Sequence, residues 1–290
     1  MKLKLNALFT YSVACGLFAA GNLGPTEVSA APLDEMISPV SHPVTFEDPR
    51  HSTELRPIFA YHEIDDSFVT GGGNAQVYAL QARLKLTDDL SLIATKDGLV
   101  VLNPNGVVPD DEGFADVAAG LKYSVYRTES EIVTVGLRYE IPIGKEEIFQ
   151  GQGDGAVNPF VSAGAACGDL NLMAGTGLRI AVDDSDSSLW DLDLHADYKL
   201  GSFYPLVELN MVHSYSGGDR LPIADEGEDF FNFGASESAG KHLVSMGVGS
   251  RYRITDDIDV GAVYQFPLDR GEGSNILDWR LTTDLIIRFG

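Results

Sequence analysis

Charged residues recur at every second position in much of this chain. Arg138 and Glu140 are two apart, as are Asp191, Asp193, His195 and Asp197, Arg251 and Arg253, and Asp278 and Arg280; Asp284 keeps the same parity. A spacing of two puts side chains on one face of a β-strand. Arg83, Lys85, Lys122, Arg179 and Glu208 fall on the corresponding face of their own segments, with Asp116, Lys199, Asp259 and Arg288. A wall carrying both signs suits two kinds of chemistry. It can orient a small polar or zwitterionic solute, or its opposed charges can pair and hold the wall together. We expect these residues to line a lumen.

Catalytic chemistry has a weaker basis. His213, Ser214 and Ser216 lie together near Glu208, but His213-Ser214-Tyr215-Ser216-Gly217 departs from the His-x-Ser pattern of barrel lipid hydrolases. No base-and-oxyanion set is placed around them. Nucleotide-binding, zinc-protease and nucleophile-elbow motifs are absent. No catalytic residue and no cofactor is expected. Asp219, Asp225, Glu226, Glu228 and Asp229 form an acidic stretch beside Phe230, Phe231 and Phe233, and Asp183, Asp184 and Asp186 form another. Neither has the spacing of a calcium loop. Solvated surface is the expected role of the carboxylates, with no metal, and the three Phe could constrict a mouth.

The elements that must position the charges are strands. Val133, Val135, Leu137, Tyr139 and Ile141 oppose Thr134, Gly136, Arg138 and Glu140; Trp190, Leu192, Leu194, Ala196 and Tyr198 oppose Asp191, Asp193, His195 and Asp197. The last segment, Leu277 to Phe289, alternates in the same way and puts Leu277 outward and Asp278 inward. Alternating segments are read near 55–63, 75–87, 89–101, 115–127, 131–143, 157–167, 169–181, 189–199, 202–213, 242–254, 258–268 and 276–289. Short turns such as Gly168-Asp169 and Gly201-Ser202 alternate with long connections such as 144–156 and 214–241. This reads as an all-β fold, a transmembrane antiparallel barrel of about twelve strands with its apolar face toward lipid. Aromatics near strand ends (Tyr123, Tyr126, Tyr198, Phe203, Tyr204, Tyr252 and Phe289 at one level; Phe160, Trp190, Phe266 and Trp279 at the other) read as interfacial girdles. Phe289 is the candidate assembly signal. Lys96 continues a lipid-facing parity; either a bulge turns it inward or it sits at the rim, where a charge costs little.

Composition bounds the partners. Lys2 and Lys4, the apolar stretch Ala7–Ala20 and Val28-Ser29-Ala30 read as an export signal over residues 1–30, cleaved before Ala31. Its removal leaves 18 basic and 42 acidic residues, a net charge of −24, with Cys167 as the one remaining cysteine. That excludes a CxxC motif or a cysteine zinc site, and the acidity argues against nucleic acid. Residues 31–51 carry Pro32, Pro39, Pro43 and Pro49 and read as a flexible periplasmic tail or a lumen plug; the barrel takes 52–290.

Gly113-Phe114-Ala115-Asp116-Val117-Ala118-Ala119-Gly120-Leu121-Lys122-Tyr123 resembles the G-x-x-D-x-x-x-G-x-K-Y strand of an outer-membrane family known as "MetA-pathway of phenol degradation". Pro205–Asn210 and Gly247–Tyr252 are also similar to it. The resemblance implies an outer-membrane channel for small solutes, hydrophobic or aromatic ones among them. The expected function is passive uptake through a narrow mixed-charge lumen, with outer-membrane lipids, the barrel-assembly machinery and a small solute as partners. The alternative is a non-conducting structural or adhesive barrel acting through its acidic loops.

Overall fold

A computed structural model describes residues 32–106, 108–269 and 275–289. Residues 1–30, read from the sequence as an export signal, and Gly290 lie outside them. The described chain has strands β1 (Glu54–Ile64), β2 (Gly73–Lys85), β3 (Leu90–Lys96), β4 (Leu99–Pro104), β5 (Asp111–Phe114), β6 (Val117–Arg127) and β7 (Glu131–Ile141). These are followed by β8 (Ala156–Cys167), β9 (Leu170–Ala181), β10 (Ser188–Tyr198), β11 (Phe203–Ser216), β12 (His242–Thr255), β13 (Ile258–Asp269) and β14 (Trp279–Arg288). All pairings are antiparallel, and β1 bonds both β2 and β14, which closes the sheet on itself.

Two of the barrel's twelve staves are broken. β3 and β4 both pair with β2 and are separated at Asp97-Gly98; β5 and β6 are separated at Ala115-Asp116 and pair with β4 and β3 respectively. Gly98 has φ 130°, and a Cβ there would stand 2.3 Å from the Tyr78 carbonyl oxygen, so only glycine fits the break. The register slips between Ala94 and Lys96, which makes a bulge. Lys96 is thereby turned inward, where it meets Glu140 and, at 3.6 Å, Asp116.

The two faces are sorted as a membrane barrel requires. Leu121, Leu137 and Leu194 are 48%, 53% and 43% exposed, while their inward neighbours Lys122, Arg138 and Asp193 are 1%, 3% and 0% exposed. Apolar residues therefore face outward and polar ones inward, the reverse of a soluble barrel. Tyr123, Tyr126, Tyr198, Phe203, Tyr252 and Phe289 are exposed at the short-turn end. Tyr61, Trp279 and Tyr264 stack at the long-loop end, with ring centroids 5.2 and 5.8 Å apart.

Three girdle or parity assignments differ. Tyr204 and Phe160 are 1% and 5% exposed and point inward, where Arg253 and Arg138 lie over their rings. A ring under a guanidinium gains a cation–π contact that lipid cannot offer. β14 begins at Trp279 rather than Leu277. Ile276 and Leu277 instead turn under the long loops, at 1% and 0% exposure, and pack in a cluster with Phe230, Phe231 and Phe233. Asp278 is half-buried at the start of the strand, its backbone N–H bonded to the Glu63 carbonyl.

Candidate functional site: a lumen closed from two sides

Residues 32–53, upstream of β1, run inside the barrel. Four of these residues are prolines and the segment forms no strand, so wall side chains bond many of its carbonyls. Arg56 donates to the Pro39 carbonyl at 2.5 Å, Arg251 to Ser38 at 3.2 Å, and Gln81 to Pro43 at 2.6 Å. Arg138 reaches the Val44 and Thr45 carbonyls, and Arg253 those of Asp34 and Met36. On β11, beside β12, Glu208 accepts the backbone N–H groups of Val40 (2.9 Å) and Ser41 (2.6 Å). Apolar side chains of the segment find wall partners too: Met36 and Phe46 pack with Ile132 and Met173, and Ile37 and Val40 with Tyr204, Leu206 and Val263.

Charge fixes the segment at two further points. The Glu47 carboxylate takes two parallel bonds from Arg83 (2.8 and 2.7 Å) and a third from Lys122 (2.8 Å). Burial alone would raise the Glu47 carboxyl, but these two cations hold it well below the usual carboxylate range. His42, in the left-handed region at φ 50°, has Nδ1 3.2 Å from Asp193 and Nε2 3.6 Å from Asp229. Burial pushes its pKa down; Asp229 and Asp193 outweigh that, and the net shift is upward.

Asp229 belongs to the long connection between β11 and β12, which folds into the other mouth. Arg280 donates to Asp229 at 2.5 and 2.8 Å and lies over the Phe230 ring, 3.8 Å from its centroid. Its guanidinium also donates to His62 Nδ1 at 2.9 Å, while His62 Nε2 donates to the Ile276 carbonyl. Phe230, Phe231 and Phe233 are 9%, 3% and 4% exposed and cluster with Phe68, Ile148 and Leu277. The Phe-rich stretch thus forms an inward cap. Its carboxylates differ from the solvated surface expected of them. Glu226 and Glu228 are buried, and Glu226 accepts the N–H groups of Phe233 and Ala235 and the Ser187 hydroxyl. Asp186 pairs with Arg179 (3.2 Å) and Arg220 (3.0 Å).

The remaining charges named from the sequence fall into separate groups. Glu140 binds Arg179 and Lys96. His195 has Glu208 at 2.7 Å and Asp197 at 3.0 Å on its two ring nitrogens. Asp193 accepts from Asn210 at 2.7 Å, and Asp191 is 7% exposed in the lumen. Asp284 accepts two 2.8 Å bonds from Arg251 and also binds Arg56. Lys85 stands outside these groups: its side chain is 37% exposed at the rim and pairs with Asp88, because β2 ends there and the chain turns. His42, Glu47, Arg56 and Lys96 were not among the site residues expected from sequence. A proline-rich segment has no period to place the first two; Arg56 shares parity with the inward set, and Lys96 needs the bulge.

Small spaces remain between the segment, the cap and the wall. Two internal cavities, of about 40 and 30 Å³, lie beside Lys96 and Phe230 and between Arg138 and Asp191. On that measure roughly 10–15 Å³ holds one water, so these spaces admit a few waters and nothing larger. Hydrolytic geometry is absent at the sequence's one candidate. Ser214 is 0% exposed, pointing inward to Ser238 at 3.0 Å, whereas its neighbour His213 has the opposite parity and lies against outward Trp190 and His242.

No protein-family model matches the chain, and no curated protein matches it. The strand from Gly113 to Tyr123 therefore keeps its resemblance without a family assignment. In this fold its Asp116 accepts the N–H groups of Gly144 (3.0 Å) and Gly151 (2.7 Å), and its Lys122 enters the lumen. Among solved structures, the chain is similar to an outer membrane channel from Pseudomonas putida F1, with 14% identity over 88% of this chain and 100% of that one, TM-score 0.59. It is also similar to the NanC porin, with 12% identity over 82% of this chain and 100% of that one, TM-score 0.50. At these identities the likeness establishes the fold, a closed twelve-stranded barrel of the outer-membrane kind.

Proposed function

We propose that this protein is an outer-membrane channel for passive uptake of a small solute, held closed here by residues 32–53 and by the β11–β12 loop. One observation carries this reading. The lumen is filled by segments that do not belong to the wall. A passage wide enough to hold an extended polypeptide is wide enough for a small solute once that polypeptide withdraws. The apolar exterior supports a bilayer location, and the two solved structures it resembles are a channel and a porin. On this reading residues 1–30 are the export signal, the long loops face outward, and the barrel-assembly machinery inserts the chain. The family resemblance extends the solutes to small aromatic compounds, while the two-signed wall favours solutes that carry charge.

The closure itself favours a second reading, a barrel that never conducts and acts as a structural or adhesive surface protein. Planar-bilayer recording separates the two. We expect brief, infrequent openings from the intact barrel and sustained conductance when residues 32–50 are deleted. A deletion variant that folds, shown by heat-modifiable migration, yet passes no current would end the channel reading and leave the structural one.

A further inference from the structure

Three lumen cations depend on the N-terminal segment for their partners. Among the described residues, Lys122 has a single carboxylate within 4 Å, that of Glu47, and its other bonds go to the Asp48 and Arg50 carbonyls at 2.7 and 2.6 Å. Arg83 has a wall partner, Glu54, only at 3.4 Å, and makes its short bonds to Glu47. Arg138 forms no ion pair among the described residues. It donates to the Val44 and Thr45 carbonyls and to Thr95, and its buried Nε has no hydrogen-bond acceptor. Arg83 and Lys122 converge on one carboxylate, and Arg138 on β7 lies on the inward face beside Lys122 on β6.

We infer that Arg83, Lys122 and Arg138 form a binding site for the carboxylate of a transported solute, with Glu47 occupying it as an internal ligand. The substrate class is small organic carboxylates. This deepens the channel reading above and rests on it. Arg83 presents the fork that matches a carboxylate bidentately, and Lys122 adds a point charge on the same oxygen. The Phe160 ring, 4.6 Å from the Arg138 guanidinium carbon, backs that cation. Withdrawing Glu47 without replacement would leave Lys122 buried without a carboxylate and Arg83 with only the longer contact to Glu54, which is unfavourable. Withdrawal is therefore coupled to arrival of another anion. A tethered carboxylate acts at an effective concentration in the millimolar range, so an incoming carboxylate displaces it when abundant. That suits passive uptake down a gradient.

The test measures influx of three solutes of equal carbon length into liposomes bearing the full mature barrel: succinate, succinamide and 1,4-diaminobutane. Succinate should enter faster than the diamine, by roughly tenfold or more, and faster than succinamide. Glu47→Gln should raise succinate influx and lower its half-saturating concentration. In that background Lys122→Met should reduce the preference for succinate. Equal influx of succinate and succinamide, or a preference unchanged in Glu47→Gln, would overturn the carboxylate site. Should none of the three solutes enter and no current flow through a folded barrel, the channel reading fails instead. If Glu47→Gln alone does not fold, the double variant Glu47→Gln/Lys122→Met, which removes one charge of each sign, is compared directly with the native protein. An undiminished succinate preference there overturns the site.

Discussion

Asp229 joins the two closures, and neutralising it should loosen both. Arg280, 0% exposed, donates to it at 2.5 and 2.8 Å, and His42 of the N-terminal segment stands 3.6 Å away. Asp229→Asn keeps the shape and one acceptor but removes the charge between Arg280 and His42. Neutralising one member of a buried pair costs about 3–5 kcal/mol. With an acceptor retained, the lower end, about 3 kcal/mol, is the appropriate figure. Since about 1.4 kcal/mol is a factor of ten in an equilibrium, the closed arrangement should lose roughly two orders of magnitude of its advantage. Single-channel recording reads this as open probability. Asp219→Asn, on an exposed residue of the same loop, should leave the open probability unchanged. If folded Asp229→Asn opens no more often than the native barrel, the latch is not what holds the lumen shut.

Three other expectations follow from the geometry. The upward-shifted His42 stabilises closure fully below about pH 6.5, its ordinary value, and that stabilisation is lost as pH rises through the higher folded value. Openings should therefore increase with pH, and His42→Gln should flatten the dependence; a native barrel insensitive to pH would exclude His42 as a contributor. Leu194→Lys, on the outward face of β10, should cost about 2–4 kcal/mol if it lies near the midplane, read from urea unfolding in lipid vesicles. An unshifted transition would place Leu194 outside lipid. Phe289→Ala should slow insertion into membranes, measured by the heat-modifiable fraction over time, while deletion of Gly290 should not; equal rates would remove Phe289 as the assembly signal.

Much of the barrel was legible because its signal is a period of two repeated many times. Arg138 and Glu140, Asp193 and His195, and Arg251 lie inward because the outward residues of their strands are apolar. The alternation of short turns with long connections reports strand order in the same direct way. Other features leave a weaker trace or none. The bulge at Thr95 inserts one residue and moves Lys96 from one face to the other, so parity fails there. Phe160 and Tyr204 look like girdle aromatics until the guanidinium above each ring is seen. Ile276 and Leu277 extend β14's pattern by two residues but belong to the cap. Which carboxylate meets which arginine is set by neighbours remote in sequence: Asp284 joins Arg56 and Arg251, and Asp229 joins Arg280. For residues 32–53, proline spacing excluded regular structure and left open whether the segment lay inside or outside.

The seam between β1 and β14 sets an order of events during biogenesis. The ladder there runs from Glu54↔Arg288 to Glu63↔Trp279 but has no pair at Pro57, which has no N–H to give. β1 leads directly out of the segment that fills the lumen, so the first stave carries that filling with it. The last stave completes the ring. Either residues 32–53 are already inside the open sheet when β14 arrives, and the ring is zipped around them, or they thread in afterwards through the finished mouth. A cysteine pair joining the segment to β11, formed in the periplasm before β14 pairs with β1, would distinguish the first history from the second.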